Sequence, residues 1–210
     1  IKTYLFNIPL GLNFFLDSNL SSNQNKIFAK MQIKHLLAKS GIQIKSNNII
    51  FIEHHLSHAA SAYFATSLTD SLVITLDGVG EESTLNLYHA YKNQISLIKK
   101  IDFPNSLGLL YSAFTYYLGF KVNSGEYKIM GLAPYGKPIY LNLIKKNLLK
   151  ISEDGSFNLN IEYFGYLNSD KIISKKFSTL FNRERRDPQK DQVEQFHMDV
   201  ACSIQKLLEE

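Results

Sequence analysis

Three histidines crowd into the string Glu53-His54-His55-Leu56-Ser57-His58, half of the six in the chain. On a helix opening here, His54 and His58 stand four residues apart. That places both imidazoles on one face, one turn apart, as a shared metal ion requires. His55 then points elsewhere. The string is not the HExxH of zinc proteases, because His55 follows His54 and no glutamate supplies the general base. A helix N-terminal cap or a packing role is the alternative use of the pair. Asp77 offers a third ligand, since it ends the apolar run Ser71-Leu72-Val73-Ile74-Thr75-Leu76 and precedes Gly78 and Gly80. An acid at that position lies at the edge where α/β proteins bind ligands, and the glycines let backbone N–H groups approach a phosphate. A tight Asp-Gly turn between strands is the alternative. Two imidazoles and one carboxylate make an open N/O site that can take ferrous iron, zinc or manganese and leave positions for substrate.

A further constellation runs over residues 123–136, with Gly125, Gly131, Gly136 and Pro134 around Glu126 and Lys128. Read as a loop of that length, it follows a functional contour, and Glu126 and Lys128 become candidate substrate contacts. Surface turns use the same residue types.

The elements that must position these groups are legible in the hydrophobic pattern. Ile27, Met31, Ile33, Leu36 and Leu37 recur at helical spacing, so residues 26–39 are expected to form an amphipathic helix stopped by Ser40-Gly41. Ile49-Ile50-Phe51-Ile52 reads as a short buried strand, and Ala59-Ala60-Ser61-Ala62 as a closely packed helix. The histidines then sit where strand turns into helix. Residues 71–78, 83–91 and 94–101 read as strands, the last two joined by a Lys92-Asn93 hairpin turn. Ser106 caps a helix through Tyr117 with an apolar face of Leu109, Leu110, Ala113, Phe114 and Tyr117, and Gly119 ends it. Helical patterns recur over 139–149 and 191–208. The apolar and polar tracts within residues 1–25 read as a loop after a disrupted first element. Residues 151–190, with Lys175, Lys176, Arg183, Arg185 and Arg186 partly offset by Glu184 and Asp187, read as a solvated insertion, with an anionic-ligand patch as the alternative.

Composition bounds the rest. The chain has 210 residues, 45% hydrophobic and 20% charged, and a net charge of +4. That is a globular balance, with too little and too dispersed positive charge to argue for nucleic acid. Cys202 is the single cysteine, which excludes an internal disulfide framework and suits a reducing, cytoplasmic setting. No apolar run reaches the ~20 residues of a membrane span. The first residue is Ile1, which points to a fragment.

Four strings in order carry a resemblance: His54-His55-Leu56-Ser57-His58-Ala59-Ala60-Ser61-Ala62-Tyr63; Leu76-Asp77-Gly78-Val79-Gly80-Glu81; Phe103-Pro104-Asn105-Ser106-Leu107-Gly108-Leu109-Leu110-Tyr111; and Gly119 through Gly136. Together they resemble the amino-terminal domain of the O-carbamoyltransferases, which serve nodulation and antibiotic biosynthesis. The resemblance is strong over residues 49–136. It implies an incomplete actin-like ATPase fold of the α/β class, with ribonuclease-H-like lobes and a mixed sheet flanked by helices. Residues 1–68 would be the remainder of the first lobe, and 69–210 a truncated second lobe with the insertion at 151–190.

The implied activity is transfer of a carbamoyl group from carbamoyl-adenylate, made from ATP and carbamoyl phosphate, to a hydroxyl of a small metabolite or sugar. The implied cofactor is Fe(2+), held by His54, His58 and Asp77, with Asp77, Gly78 and Gly80 facing nucleotide and carbamoyl group. No residue stands out as the catalytic base. The family's Gly and His phosphate-loop motif, a later ligating aspartate and the adenylate-forming carboxy-terminal domain have no counterpart here. The chain alone is therefore expected to be inactive. A tRNA threonylcarbamoyl transferase-like enzyme and a non-catalytic actin-like interaction module are the alternatives.

Overall fold

A computed structural model describes residues 28–167 and 171–210. The stretch 1–25 and Ile27 lie outside the described residues. Helix α1 spans Ala29–Lys39. Its expected apolar stripe has no fully buried residue, and Met31 and Leu36 are exposed. Helix α2 spans His54–Tyr63. The strand expected at Ile49-Ile50-Phe51-Ile52 does not form. That segment finds no partner strand among the described residues, and Ile50 is 80% exposed. Apolar β-branched composition gives extended backbone, but a strand also needs a neighbour to take its N–H and C=O groups.

Strands β1 (Asp70–Gly80), β2 (Ser83–Tyr91) and β3 (Gln94–Asp102) form an antiparallel sheet in that order. The expected mixed sheet is thus antiparallel throughout the described strands. The hairpin turn falls at Lys92-Asn93, with Tyr91 paired to Gln94 and Lys92 at φ 53°. Between Leu76, paired with Leu85, and Gly80, paired with Ser83, β1 spends four steps against two on β2. Such a bulge bends the strand and re-aims its side chains. The alternation holds through Asp77 and is lost from Gly78 on.

Helix α3 (Leu107–Tyr117) starts where the sequence says it should. Ser106 has extended backbone and its Oγ accepts the Leu109 N–H at 3.0 Å. The buried side of α3 carries Leu110, Ala113, Phe114 and Tyr117 into the core. Residues 123–136, expected as a loop, are instead largely helical: α4 (Glu126–Leu132) runs straight into a 3-10 turn, Ala133–Tyr135. Glycine content suggested a loop, but fully buried Ile129 anchors the segment, and the Glu126 carboxylate accepts the Asn123 and Gly125 N–H groups at its start. Helix α5 (Leu141–Leu148) leads into a short hairpin of β4 (Leu149–Ile151) and β5 (Phe157–Leu159). Helices α6 (Lys175–Leu180) and α7 (Gln195–Glu209) follow.

Residues 151–190 are not the solvated insertion expected from their charges. Phe157, Leu159, Tyr163, Phe164, Ile173, Phe177 and Phe181 are all buried. Lys175 and Lys176 stand directly before Phe177, and Arg183, Arg185 and Arg186 follow Phe181, so charge masked an apolar face. Phe177 sits at the centre, with its ring 5.1 Å from Phe114, 5.3 Å from Tyr117 and 5.8 Å from Phe181. Helix α7 closes over this core and clasps the segment after α4. Asp199 accepts the Lys137 N–H at 2.8 Å, Ser203 accepts that of Tyr140 at 3.0 Å, and any side chain at Gly136 would collide with the Met198 carbonyl.

If the 151–190 segment is integral to the core, Phe177→Ala destabilises the protein by about 3–5 kcal/mol. Urea unfolding followed by circular dichroism measures it. A loss under about 1 kcal/mol would return the segment to the surface.

Candidate metal centre

The site assembles from two elements. Helix α2 begins at His54, so His54 and His58 project from the same face with ring centroids 4.6 Å apart. The end of β1 brings Asp77 to them, on the same face as Thr75. His54 Nε2 lies 2.5 Å from Asp77 Oδ2 and 3.1 Å from His58 Nε2, and His58 Nε2 lies 4.0 Å from that oxygen. The three donors all fall within 4.8 Å of one another.

Proton accounting shows what this convergence can do. A ring nitrogen carries either one proton or one lone pair. His54 Nε2 therefore cannot bond in line to both the carboxylate and the second imidazole. A cation at the common focus satisfies all three. Two ligands each ~2.1 Å from a metal at right to tetrahedral angles are about 3.0–3.4 Å apart, and the two histidine nitrogens match that span. The donor set fits a borderline divalent transition metal.

The surroundings hold the donors in place. Asp77 Oδ1 accepts the Gly78 N–H at 2.6 Å, leaving Oδ2 for the histidine side. Burial raises the Asp77 pKa, but the His54 hydrogen bond and the Gly78 N–H outweigh it and hold the carboxyl below its usual range. The hydroxyl of Ser106 donates to the Gly78 carbonyl at 2.7 Å, so the cap of α3 also fixes the bulge. Gly108, one turn on, lies so close to Gly78 that a Cβ there would be 3.0 Å from its Cα.

His55 does point elsewhere, and to a purpose. It is fully buried, with Nε2 2.9 Å from the Ser83 carbonyl and Nδ1 2.7 Å from Thr75 Oγ1. A carbonyl only accepts, so Nε2 carries the proton, and Nδ1 accepts from the Thr75 hydroxyl. The ring is a peg joining α2 to β1 and β2. Gly80 makes room for both rings: a Cβ there would fall against the His54 ring and 2.8 Å from His55 Nε2. Gly80 is thus a packing glycine, and the Gly78 amide orients a ligand.

The other expected contacts lie apart from this centre. Glu126 accepts from the Asn123 and Gly125 N–H groups and from the Ser112 hydroxyl at 3.3 Å. Burial raises its pKa, but those hydrogen bonds outweigh it, and the net shift is downward. Lys128 lies 5.9 Å from the Phe120 ring. Neither touches His54, His58 or Asp77 among the described residues. Asp77 also lines a cavity of about 420 Å³, together with Leu76, Gly78, Leu107, Gly108, Tyr111 and Leu208. The Tyr111 hydroxyl donates to Gln205 Oε1 at 2.9 Å, and burial pushes its pKa up to about 12. The sequence assigns no site role to Thr75, Gly108 or Tyr111, and to Ser106 only that of a cap. The Ser-x-Gly of the helix start was the available signal.

The sequence profile described as "Carbamoyltransferase N-terminus" matches residues 2–210. The chain belongs to that family. It is 47% identical, over its whole length, to the uncharacterized protein sll1178 of Synechocystis sp., covering 34% of that protein. It is 29% identical to nodulation protein NolNO of Sinorhizobium fredii over 86% of the chain and 25% of that protein. To the uncharacterized protein MJ1058 of Methanocaldococcus jannaschii it is 31% identical over 95% of the chain and 32% of that protein. The chain thus spans between a quarter and about a third of the length of these relatives. No helix among the described residues is long and apolar enough to cross a membrane.

The packing around the centre generates a paired expectation. Thr75→Val leaves the buried His55 nitrogen without a partner and costs about 1–3 kcal/mol in denaturant unfolding. Gly80→Ala crowds the rings and, by displacing them, lowers divalent-metal affinity about ten- to a hundredfold. Wild-type stability in the first variant would remove the peg from His55, and wild-type affinity in the second would show that the rings have slack.

Proposed function

We propose that this chain is the N-terminal, metal-binding part of an ATP-dependent O-carbamoyltransferase built on an actin-like fold, with lobes divided near residue 68. The observation that carries the reading is the convergence of His54, His58 and Asp77, from two elements, on one focus within a carbamoyltransferase-family domain. The metal is ferrous iron, the ion the family resemblance implies, and the setting is cytoplasmic.

When bound there, the ion supplies Lewis acidity toward a carbonyl or phosphoryl oxygen. The chain's own groups do the remaining work. His54 and His58 offer Nε2, and Asp77 offers Oδ2 while its Oδ1 stays pinned by the Gly78 amide. The ligand set is half exposed, so a carbamoyl-adenylate, made from ATP and carbamoyl phosphate by an adenylate-forming domain, reaches it from the open side. The turn from Asp77 to Gly80 presents backbone to the nucleotide and the transferred group. Leu76, Leu107 and Leu208 keep the cavity beside Asp77 apolar, which strengthens electrostatic interactions at its mouth. The acceptor is a hydroxyl of a small metabolite or sugar, and the new carbon–oxygen bond forms as AMP leaves. Glu126 and Lys128 belong to this reading as acceptor contacts one helix away.

Anaerobic loading with ferrous iron followed by metal analysis tests the centre. The expected result is a single ion per chain, with affinity falling at least about a hundredfold in His54→Ala, His58→Ala and Asp77→Asn. Equal retention in all three would overturn the site. A carbamoyl-transfer assay on the full-length protein with ATP and carbamoyl phosphate, in wild type and His54→Ala, tests the activity separately. The 210-residue chain alone is expected to show no turnover.

A further inference from the structure

A second cluster of ionic groups lies at the opposite end of α3. Arg183, Arg185 and Arg186 converge there with His197 of α7 around a cavity of about 210 Å³. Ser106 and Gly78 mark one end of α3, while Arg185 and Arg186 bind the Tyr116 and Leu118 carbonyls at the other. Eleven residues at 1.5 Å each separate the two sites by about 16 Å. We propose that this cavity is an oxyanion site that takes a phosphate group, either inorganic phosphate or the phosphate of a small phosphorylated ligand.

The built parts of the site are its two most buried charged or titratable groups. Arg186 is 8% exposed and His197 6%. Arg186 spends Nε on the Leu118 carbonyl at 2.7 Å and Nη1 on the Asp191 carbonyl at 3.0 Å, which locks the plane of its guanidinium. Its Nη2 has no protein partner among the described residues. His197 Nδ1 accepts the Glu194 N–H at 2.9 Å as part of the cap of α7. That leaves Nε2 as the protonated ring nitrogen, again with no protein partner among the described residues, and His197 lines the cavity. Arg185 stacks its guanidinium 4.1 Å from the Tyr116 ring centroid and uses only Nε on the protein. Guanidinium forks match the tetrahedral oxygens of phosphate.

Two of the three acids on the lining are already engaged. Glu194 Oε2 accepts from Arg183 Nη2 at 2.7 Å, and the Glu194 side chain also caps α7. Asp191 Oδ2 accepts the Asp187 N–H at 2.8 Å. The three arginines balance the three carboxylates of Glu184, Asp191 and Glu194 in formal charge. The pull on an anion therefore comes from the Arg186, Arg185 and His197 N–H groups with no protein partner among the described residues, and from the positive end of a fifteen-residue helix. Burial, together with Arg183 and Arg186, holds His197 below its usual pKa, so the imidazole enters the site as a neutral donor.

Imidazole-detected NMR of the 210-residue chain, titrated with inorganic phosphate, tests the site. The expected result is a saturable shift of the His197 signals and a rise in its protonation midpoint. Arg185→Gln weakens the apparent affinity about tenfold or more, and Arg185→Lys weakens it less. Asp77→Asn leaves the shift unchanged. Tighter binding of a phosphate monoester identifies a phosphorylated ligand, and tighter inorganic phosphate identifies the free ion; both support the site. Absence of saturation, unchanged affinity in folded Arg185→Gln, acetate binding as tightly as phosphate, or loss of the shift in Asp77→Asn would each overturn it.

Discussion

The constraint on which the molecule's chemistry depends is the bulge between Leu76 and Gly80. Side chains alternate along β1 as far as Asp77, which stands on the face set by Thr75, so that Thr75 meets His55 and Asp77 meets His54. The alternation ends just beyond, at Gly78, where the strand bulges. Three features, two at the start of α3 and one in β1 itself, then hold the irregular register in one form. The Ser106 hydroxyl takes the Gly78 carbonyl, Gly108 packs on Gly78, and Gly80 leaves space for two imidazoles. One serine thus does two jobs, since the same oxygen that caps α3 also anchors the irregular strand. Shared use of this kind ties the geometry of the site to the stability of the helix beneath it.

A second economy is visible in the arginines after α6. Aromatic and carbonyl groups absorb their side chains: Arg183 lies over Phe196, Arg185 over Tyr116 and Arg186 over Phe120. The Tyr117 hydroxyl donates back to the Arg183 carbonyl. This segment stitches the C-terminal end of α3 to the start of α7 without adding much apolar bulk. Two ends of one helix therefore carry two different kinds of polar construction, a donor tripod at its N-terminal end and a guanidinium cluster at its C-terminal end. The helix between them is a rigid spacer with a largely apolar inner face, on which buried Thr115 bonds the Tyr111 carbonyl.

Periodicity sufficed for the strands from Asp70 to Asp102, their hairpin, the Ser106 cap and the later helices, because each has local punctuation and its own buried stripe. The histidine pair was legible for the same reason: four-residue spacing on a helix is a local property. The failures were all about partners. Ile49-Ile50-Phe51-Ile52 has strand composition but no neighbour among the described residues, and sequence cannot supply one. Residues 123–136 look like a loop by glycine count, yet helix α7 docks on them and the burial of Ile129 overrides the propensity. Residues 151–190 carry their charges on the same short stretches as their aromatics, so the average hid an apolar face that only packing against Phe114 and Tyr117 reveals. Thr75 as the partner of His55 was likewise invisible, because the contact spans twenty residues and two elements.

The arrangement also bears on whether metal and folding are coupled. In small metal-dependent domains the ion supplies the folding free energy, because no preformed site exists without it. Here the ligands rest on structure that is complete on its own terms. His55 fixes the start of α2 to the sheet through two hydrogen bonds, and Ser106 with the Gly78 amide fixes the Asp77 carboxylate. His54 lies within hydrogen-bond distance of both Asp77 and His58. The remaining cost sits in bringing two imidazoles and a carboxylate to one focus, which is a local electrostatic cost and small beside the aromatic core some distance away. Metal binding is therefore expected to tune the charge state of the centre while leaving the fold around it unchanged. A preorganised tripod with an open side has the form that transfer chemistry needs, since the substrate then meets ligands that do not have to move.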